Sequence, residues 1–203
     1  VCERAARQAL EAVPAGLRQL VGMHCLELER RRLTALLQEW LQLERSRGEF
    51  LVVHREQPVE LQLAGLRLKL RVDRVDELAD GGRLVIDYKS GSNKLKDWLG
   101  ERPSQPQLPL YGIAANVQGL AFAEVRPRAS RFLGLATTDA APGVSTDIAK
   151  SVGRHAAATS FDTLLQAWRR DLTALAESFL AGDAQVDPLG SACQYCGLQA
   201  LCR

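Results

Sequence analysis

Two runs of alternating apolar and charged residues, LRLKLRVDRVDEL at 66–78 and RLVIDYK at 83–89, are separated only by ADGG. A period of two marks a strand with one face in a core, and a tight Asp-Gly-Gly connection between two such runs folds back as a hairpin. Strand side chains alternate between faces, so Leu66, Leu68, Leu70 and Val72 point one way and Arg67, Lys69, Arg71 and Asp73 the other. On the returning run Leu84, Ile86 and Tyr88 share one face, while Val85, Asp87 and Lys89 share the opposite one.

With the turn centred near Asp80, facing residues have numbers summing to about 160, which sets Asp73 against Asp87 to within one residue. Directly opposed Cβ atoms lie about 4.5–5.5 Å apart. Carboxylates that close repel and raise one another's pKa unless a positive charge sits between them. A divalent cation such as Mg²⁺ or Mn²⁺ is the natural partner, because hard cations take carboxylate, water and phosphate oxygens. Lys89 beside the pair would orient or deprotonate a water at that cation, or hold a phosphate. The plain alternative is a set of solvent-facing strand charges in cross-strand ion pairs, each worth little. Against it, VIDYK places Asp and Lys in a strand otherwise suited to burial, and buried charges need a reason.

The 203 residues, 46% of them hydrophobic, suffice for one substantial domain with a helical appendage. Residues 1–13 have helical spacing and stop at Pro14, and the apolar positions from about Leu17 to Arg45 predict one amphipathic helix. FLVVHREQPVELQLAG reads as a strand with Pro58 at an edge or bulge, and a polar loop is expected from the hairpin to Pro103. SQPQLPLYG reads as a helix start, with Ser104 and Gln107 at capping-box spacing and Pro109 distorting the first turn. GLAFAEVRPR and SRFLGLA are strand candidates, and residues 137–152 a loop. The last helix has Ser160 as N-cap, an apolar stripe through Leu164, Trp168, Leu172 and Phe179, and Gly182 at its end. This order predicts an α/β fold, with an N-terminal helical segment at 1–47 packed on a core at 48–203.

Net charge is +2, no apolar run reaches the ~18–20 residues a membrane span needs, and no signal peptide is evident, so a soluble cytoplasmic protein without a membrane partner is expected. The chain begins with Val and its only Met is Met23, which suggests a piece of something longer.

Asp73, the Asp-x-Lys of VIDYKSG, and QLPLY with Gln107 and Tyr111 together resemble the motif series of the PD-(D/E)XK nuclease superfamily, in its RecB/AddB-like branch. WLGERPSQPQLPLY is similar to a bacterial group of DNA repair proteins, and the likeness spans roughly residues 27–203. The resemblance implies a restriction-endonuclease-like core, a mixed central β-sheet flanked by helices. It makes Asp73 and Asp87 metal ligands, with the Tyr88 carbonyl as an extra one, and Lys89 the catalytic lysine. It makes Gln107 and Tyr111 contacts to DNA or to the active-site edge. A metal-binding His on a preceding helix is also implied, for which His24 is the poorly matched candidate, and Glu56 stands where the branch often has Glu. Asp76 is out of phase with Asp73 and is the weaker choice of ligand.

Cys193, Cys196 and Cys202 form C-x2-C-x5-C, whose first gap suits a metal knuckle. In the AddB-like branch such a triplet joins one upstream cysteine around a [4Fe–4S] cluster, with Zn²⁺ the alternative. Cys2, Cys25 or a cysteine upstream of this chain would be the fourth ligand, and the site is expected to be empty in the chain as given. Free cytosolic thiols are the plain alternative.

Arg67, Lys69, Arg71, Arg74, Lys94, Lys96 and Arg102 gather around the proposed carboxylates, as phosphate contacts require, with Arg71 and Arg74 nearest. A solvated basic face would look the same. The expected function is therefore a Mg²⁺- or Mn²⁺-dependent DNA nuclease domain of a repair or recombination protein, exonucleolytic by preference. Its expected partners are DNA, the upstream part of its own chain and a helicase subunit. The alternatives are a non-catalytic DNA-binding or scaffolding module with a nuclease-like fold, and a zinc-binding interaction domain, which leaves the charged hairpin unexplained.

Overall fold

The computed structural model of the protein describes residues 1–155, 157–183, 185–189, 192–194, 196–198, 200 and 202. It opens with helices α1 (Cys2–Glu11), α2 (Ala15–Val21) and α3 (Met23–Arg45). The single helix expected from Leu17 to Arg45 is broken at Gly22, whose φ of 81° lies outside the helical region. α1 packs on α3 with Ala6 buried between them.

Six strands follow: β1 (Phe50–Leu63), β2 (Leu66–Leu78), β3 (Arg83–Lys89), β4 (Gly119–Glu124), β5 (Arg131–Ala136) and β6 (Val144–Ser145). They form one sheet in chain order, with β3–β4 and β5–β6 parallel and the other pairs antiparallel. A parallel β3–β4 pair requires a crossover. Residues 90–118 provide it through a 3-10 turn at Leu95–Trp98 and α4 (Gln107–Ala114). This stretch is less of a polar loop than its composition suggests, because Trp98 is fully buried and accepts a 2.8 Å hydrogen bond at its carbonyl from Trp168 Nε1. A short helix α5 (Ile148–Val152) lies in the expected loop, and α6 (Phe161–Leu180) closes the fold with Ser160 and Thr163 as a reciprocal cap.

α4 starts at Gln107 without a side-chain cap, contrary to the Ser104–Gln107 expectation. Pro109 sits in the first turn, where an N–H has no partner within the helix, and the first regular bond is Leu110 N to Pro106 O at 2.9 Å. The turn is therefore undistorted by Pro109 and leaves the Gln107 amide available for tertiary contacts.

One face of the sheet packs Val75, Val85, Leu120 and Phe122 against Leu108 and Tyr111 of α4 and Leu164, Trp168 and Leu172 of α6. The other packs Leu84, Ile86, Ala121 and Phe132 against Trp40 of α3. Central strands β3 and β4 are thus buried on both faces, so helices flank a mixed sheet on either side. Edge strand β1 carries Pro58, as expected of an edge. Val72 and Val75, of opposite parity, both pack in the first core, so β2 bends between them. The pairing lapses there between Arg55–Arg74 and Gln57–Val72, and Glu56 opposite Asp73 has a φ of 50°. No helix among the described residues is long and apolar enough to cross a membrane.

Close backbone approach leaves no room for a side chain at Gly134. A Cβ there would stand 2.3 Å from the Leu120 carbonyl oxygen and 2.8 Å from the Ala121 backbone. Gly134→Ala should destabilise the fold by about 3 kcal/mol or more, lowering Tm by roughly 6–12 °C. Gly91→Ala, whose Cβ would meet nothing within 4 Å, should stay within about 0.5 kcal/mol of the parent in the same thermal melts.

Candidate active site

The β2–β3 ladder runs Glu77–Arg83, Asp76–Leu84, Val75–Val85 and Arg74–Ile86, all in the register that sets Asp73 opposite Asp87. Backbone pairing stops at Arg74, and Asp73 continues the connection with its side chain: Oδ2 accepts the Tyr88 N–H at 2.9 Å. Asp73 is thereby tied to the backbone of the residue that follows Asp87.

Asp87 is 1% exposed, and its Oδ2 lies 2.6 Å from Lys89 Nζ in an ion pair whose angle is not that of a hydrogen bond. Lys89 also donates to Gln107 Oε1 at 2.8 Å, and its ammonium stands 5.4 Å over the Phe122 ring. Gln107 Nε2 donates to the Tyr111 hydroxyl at 2.8 Å, and that hydroxyl donates to the Arg71 carbonyl at 2.5 Å. Gln107 and Tyr111, one helical turn apart, therefore join the ammonium to the backbone of β2.

Burial pushes the Asp87 carboxyl upward, and the Asp73 charge adds to this while Lys89 opposes it. Tyr111 is also raised, first by burial, with Asp87 and Asp73 contributing, which shows that the three groups share one electrostatic neighbourhood. A buried carboxylate whose Oδ2 has only the Lys89 ammonium beside it and a second carboxylate on the facing strand form an oxygen donor pair suited to a hard divalent cation. They form a pair rather than a triad: among the described residues no three His, Cys, Asp or Glu side chains are grouped to hold a metal ion.

Other sequence-derived candidates lie elsewhere. His24 is exposed in the first turn of α3. Trp40, near the Tyr88 ring, lies about 24 Å farther along the helix axis at 1.5 Å per residue. Glu56 pairs with Arg71 at 3.0 Å on the exposed surface. Arg74 points to the opposite side of the sheet, where its guanidinium binds Glu44, Asp76 and the Tyr88 hydroxyl. Asp76, fully buried, also accepts from Arg47 Nη1 at 2.8 Å and is wholly engaged there. Arg102 is paired with Asp187. Cys193 and Cys202 are exposed and Cys196 half-buried, with Cys2 on α1 and Cys25 on α3. The Leu198 amide donates to Cys196 Sγ at 3.4 Å, but the triplet does not assemble a three-thiol site.

Glu124 escaped notice in the sequence. It closes the wholly buried strand β4, is paired in register with Lys89, and its carboxylate accepts from Asn93 N at 2.5 Å and Arg131 Nε at 2.8 Å. Burial alone would raise its pKa, but Arg131 and Asn93 outweigh that and hold it low. The signal was a lone acid at the end of GLAFAE.

The raised pKa of Asp87 has a definite sign in stability. Between the ordinary carboxylate value and the raised one the folded state holds more protons than the unfolded chain, so stability falls as pH rises through that window. Asp87→Asn cannot ionise and escapes this loss. Without metal, its Tm at neutral pH should exceed that of the parent, by roughly 2–4 °C for each kcal/mol relieved. Calorimetry should show the advantage shrinking as pH falls through that window and gone below the ordinary carboxylate range.

Among solved structures, the crystal structure of SSO0001 aligns over 99% of this chain and 81% of that chain, at 15% identity and a TM-score of 0.43. None of the curated proteins matches the chain. The family model of the PD-(D/E)XK nuclease superfamily matches residues 1–203 from end to end, and the chain therefore belongs to that superfamily.

Proposed function

We propose that this chain is a metal-dependent deoxyribonuclease domain that hydrolyses phosphodiester bonds at the open end of the β2–β3 pair. The observation that carries this reading is the buried Asp87 oxygen, matched only by Lys89 and facing Asp73. Asp73, Asp87 and the Tyr88 carbonyl would hold Mg²⁺ or Mn²⁺, which would supply Lewis-acid stabilisation of charge on the phosphoryl oxygens. Lys89, held by Asp87 and Gln107, keeps a donor to direct at the attacking water or at the scissile phosphate. Water attacks phosphorus in line, its proton passes to solvent, and the P–O bond to the departing sugar oxygen breaks as that oxygen takes a proton from solvent.

Of the basic residues of β2, Arg67, Lys69 and Arg71 are exposed at alternate positions on the stretch of strand that precedes Asp73. Arg71 has only its surface pair with Glu56, and Arg67 and Lys69 make no ion pair among the described residues. This ribbon is the path assigned to the DNA backbone, with Arg71 rather than Arg74 as the contact next to the carboxylates. The substrate end preferred is a free one, as for an exonuclease. The three C-terminal thiols do not fit a cluster site as they stand, and no step involves them.

Purified protein with Mn²⁺ should degrade linear DNA. Lys89→Ala should lower the rate by about 10²–10³-fold with metal affinity by calorimetry kept, whereas Asp87→Asn should lose both. Undiminished cleavage by Asp87→Asn would remove the reading, and DNA binding without cleavage in the parent would favour a non-catalytic module. Replacing Arg67, Lys69 and Arg71 by Ala should reduce the slope of log affinity against log salt for single-stranded DNA by about 2, three phosphates at about 0.7 each. Fluorescence anisotropy with Ca²⁺ in place of Mn²⁺ measures it.

A further inference from the structure

Behind the carboxylates, on the α3 side of the sheet, lies a charge-balanced cluster of Glu44, Arg47, Arg74 and Asp76, each with a nearly or fully buried side chain. Arg47 Nη1 bridges Glu44 Oε2 at 2.9 Å and Asp76 Oδ2 at 2.8 Å. Arg74 grips Asp76 with Nε at 2.6 Å and Nη2 at 2.8 Å, and its Nη1 reaches both Glu44 Oε1 at 2.6 Å and the Tyr88 hydroxyl at 2.9 Å. Arg47 lies 4.0 Å over the Phe50 ring, which walls off that side. Stability alone is a poor reason for such a cluster, because well-packed apolar residues of equal volume usually serve as well.

Its members alternate in sequence with the site. Arg74 adjoins Asp73, and Tyr88 stands between Asp87 and Lys89. Tyr88 is therefore held by Asp73 at its N–H and by Arg74 at its hydroxyl, just beyond the last β2–β3 backbone pair, while on its other side it pairs in register with Ala123 of β4. The Trp40 ring, 5.9 Å away at an interplanar angle of 70°, braces it from α3.

We propose that the cluster positions the site, with Arg74 and the Tyr88 hydroxyl as positioning groups that fix the spacing of Asp73 and Asp87 for a divalent cation. This rests on the nuclease reading above. The peptide carrying Tyr88 cannot tilt without straining the bond to Arg74 and the pairing with Ala123, and Arg74 cannot follow because the carboxylates of Glu44 and Asp76 hold it.

Tyr88→Phe tests the link with least damage, since it deletes only the hydroxyl and keeps the ring on Trp40. Mn²⁺ binding by calorimetry should weaken about 3- to 10-fold, the equivalent of one hydrogen bond, with Tm within about 2 °C of the parent. The Mn²⁺ dependence of cleavage should shift upward in the same proportion. Arg74→Lys keeps the buried charge but loses the fork, and it should weaken Mn²⁺ binding at least as much. If Arg74→Lys fails to fold, Tyr88→Phe still decides. In the double variant the effects should be non-additive, because both act through one bond. Unchanged Mn²⁺ affinity in Tyr88→Phe, with or without a fall in Tm, would overturn the positioning role and leave the nuclease reading intact. Absence of Mn²⁺ binding in the parent would overturn both.

Discussion

Burial of the Asp87 carboxylate organises the rest of the site. A carboxylate at 1% exposure is costly unless charges and hydrogen bonds surround it. Lys89 answers that cost, but a lysine drawn inward needs its own acceptors, and Gln107 supplies one. Gln107 is fixed by Tyr111, and Tyr111 by the Arg71 carbonyl, so the demand of one carboxylate runs through α4 and returns to the strand beside Asp73. The crossover helix thus has an electrostatic reason for its place, beyond the apolar packing of Leu108 and Ile113.

Three buried carboxylate systems lie along this half of the sheet, and their difference is informative. Asp76 is matched by two guanidiniums, and Glu124 by Arg131, Arg126 and Asn93. Those matched oxygens have all the partners a structural carboxylate needs. Asp87 has one ammonium beside Oδ2 and a like charge near it, and burial pushes its carboxyl above the ordinary value, whereas Arg131 and Asn93 hold that of Glu124 low. Among these three carboxylates Asp87 alone has an oxygen without a hydrogen bond, which points to chemistry rather than to stability.

Much of this was legible in the residues. Alternation and the ADGG turn predicted the hairpin register to within one residue, because a tight turn leaves little freedom and a one-residue slip would turn every side chain over. The same alternation misled on the second face. Ile86 and Leu84 face α3 while Val85 faces α4, so β3 is core on both sides, and nothing within β3 itself says that a helix covers each. Arg74 illustrates the harder limit. Its identity suits a phosphate, and only the fold reveals Glu44 and Asp76 waiting behind it. The break at Gly22 was missed because an apolar stripe persists across it, and the α4 cap because Gln107 was assigned a local partner when a distant lysine takes it.

The alternation of a strand also explains why one short segment can be both anchor and site. At the end of the β2–β3 pair each residue bound on the α3 side, Arg74 or Tyr88, is followed or preceded by one facing the opposite side, Asp73, Asp87 or Lys89. Packing restrains the first set, and the peptide geometry passes that restraint to the second, since successive side chains on a pleated strand cannot reorient independently. A cluster of mutually paired charges behind and an unmatched carboxylate oxygen in front are thus two consequences of a single arrangement. Rigidity on the anchored side keeps like charges together on the other, where free side chains would move apart.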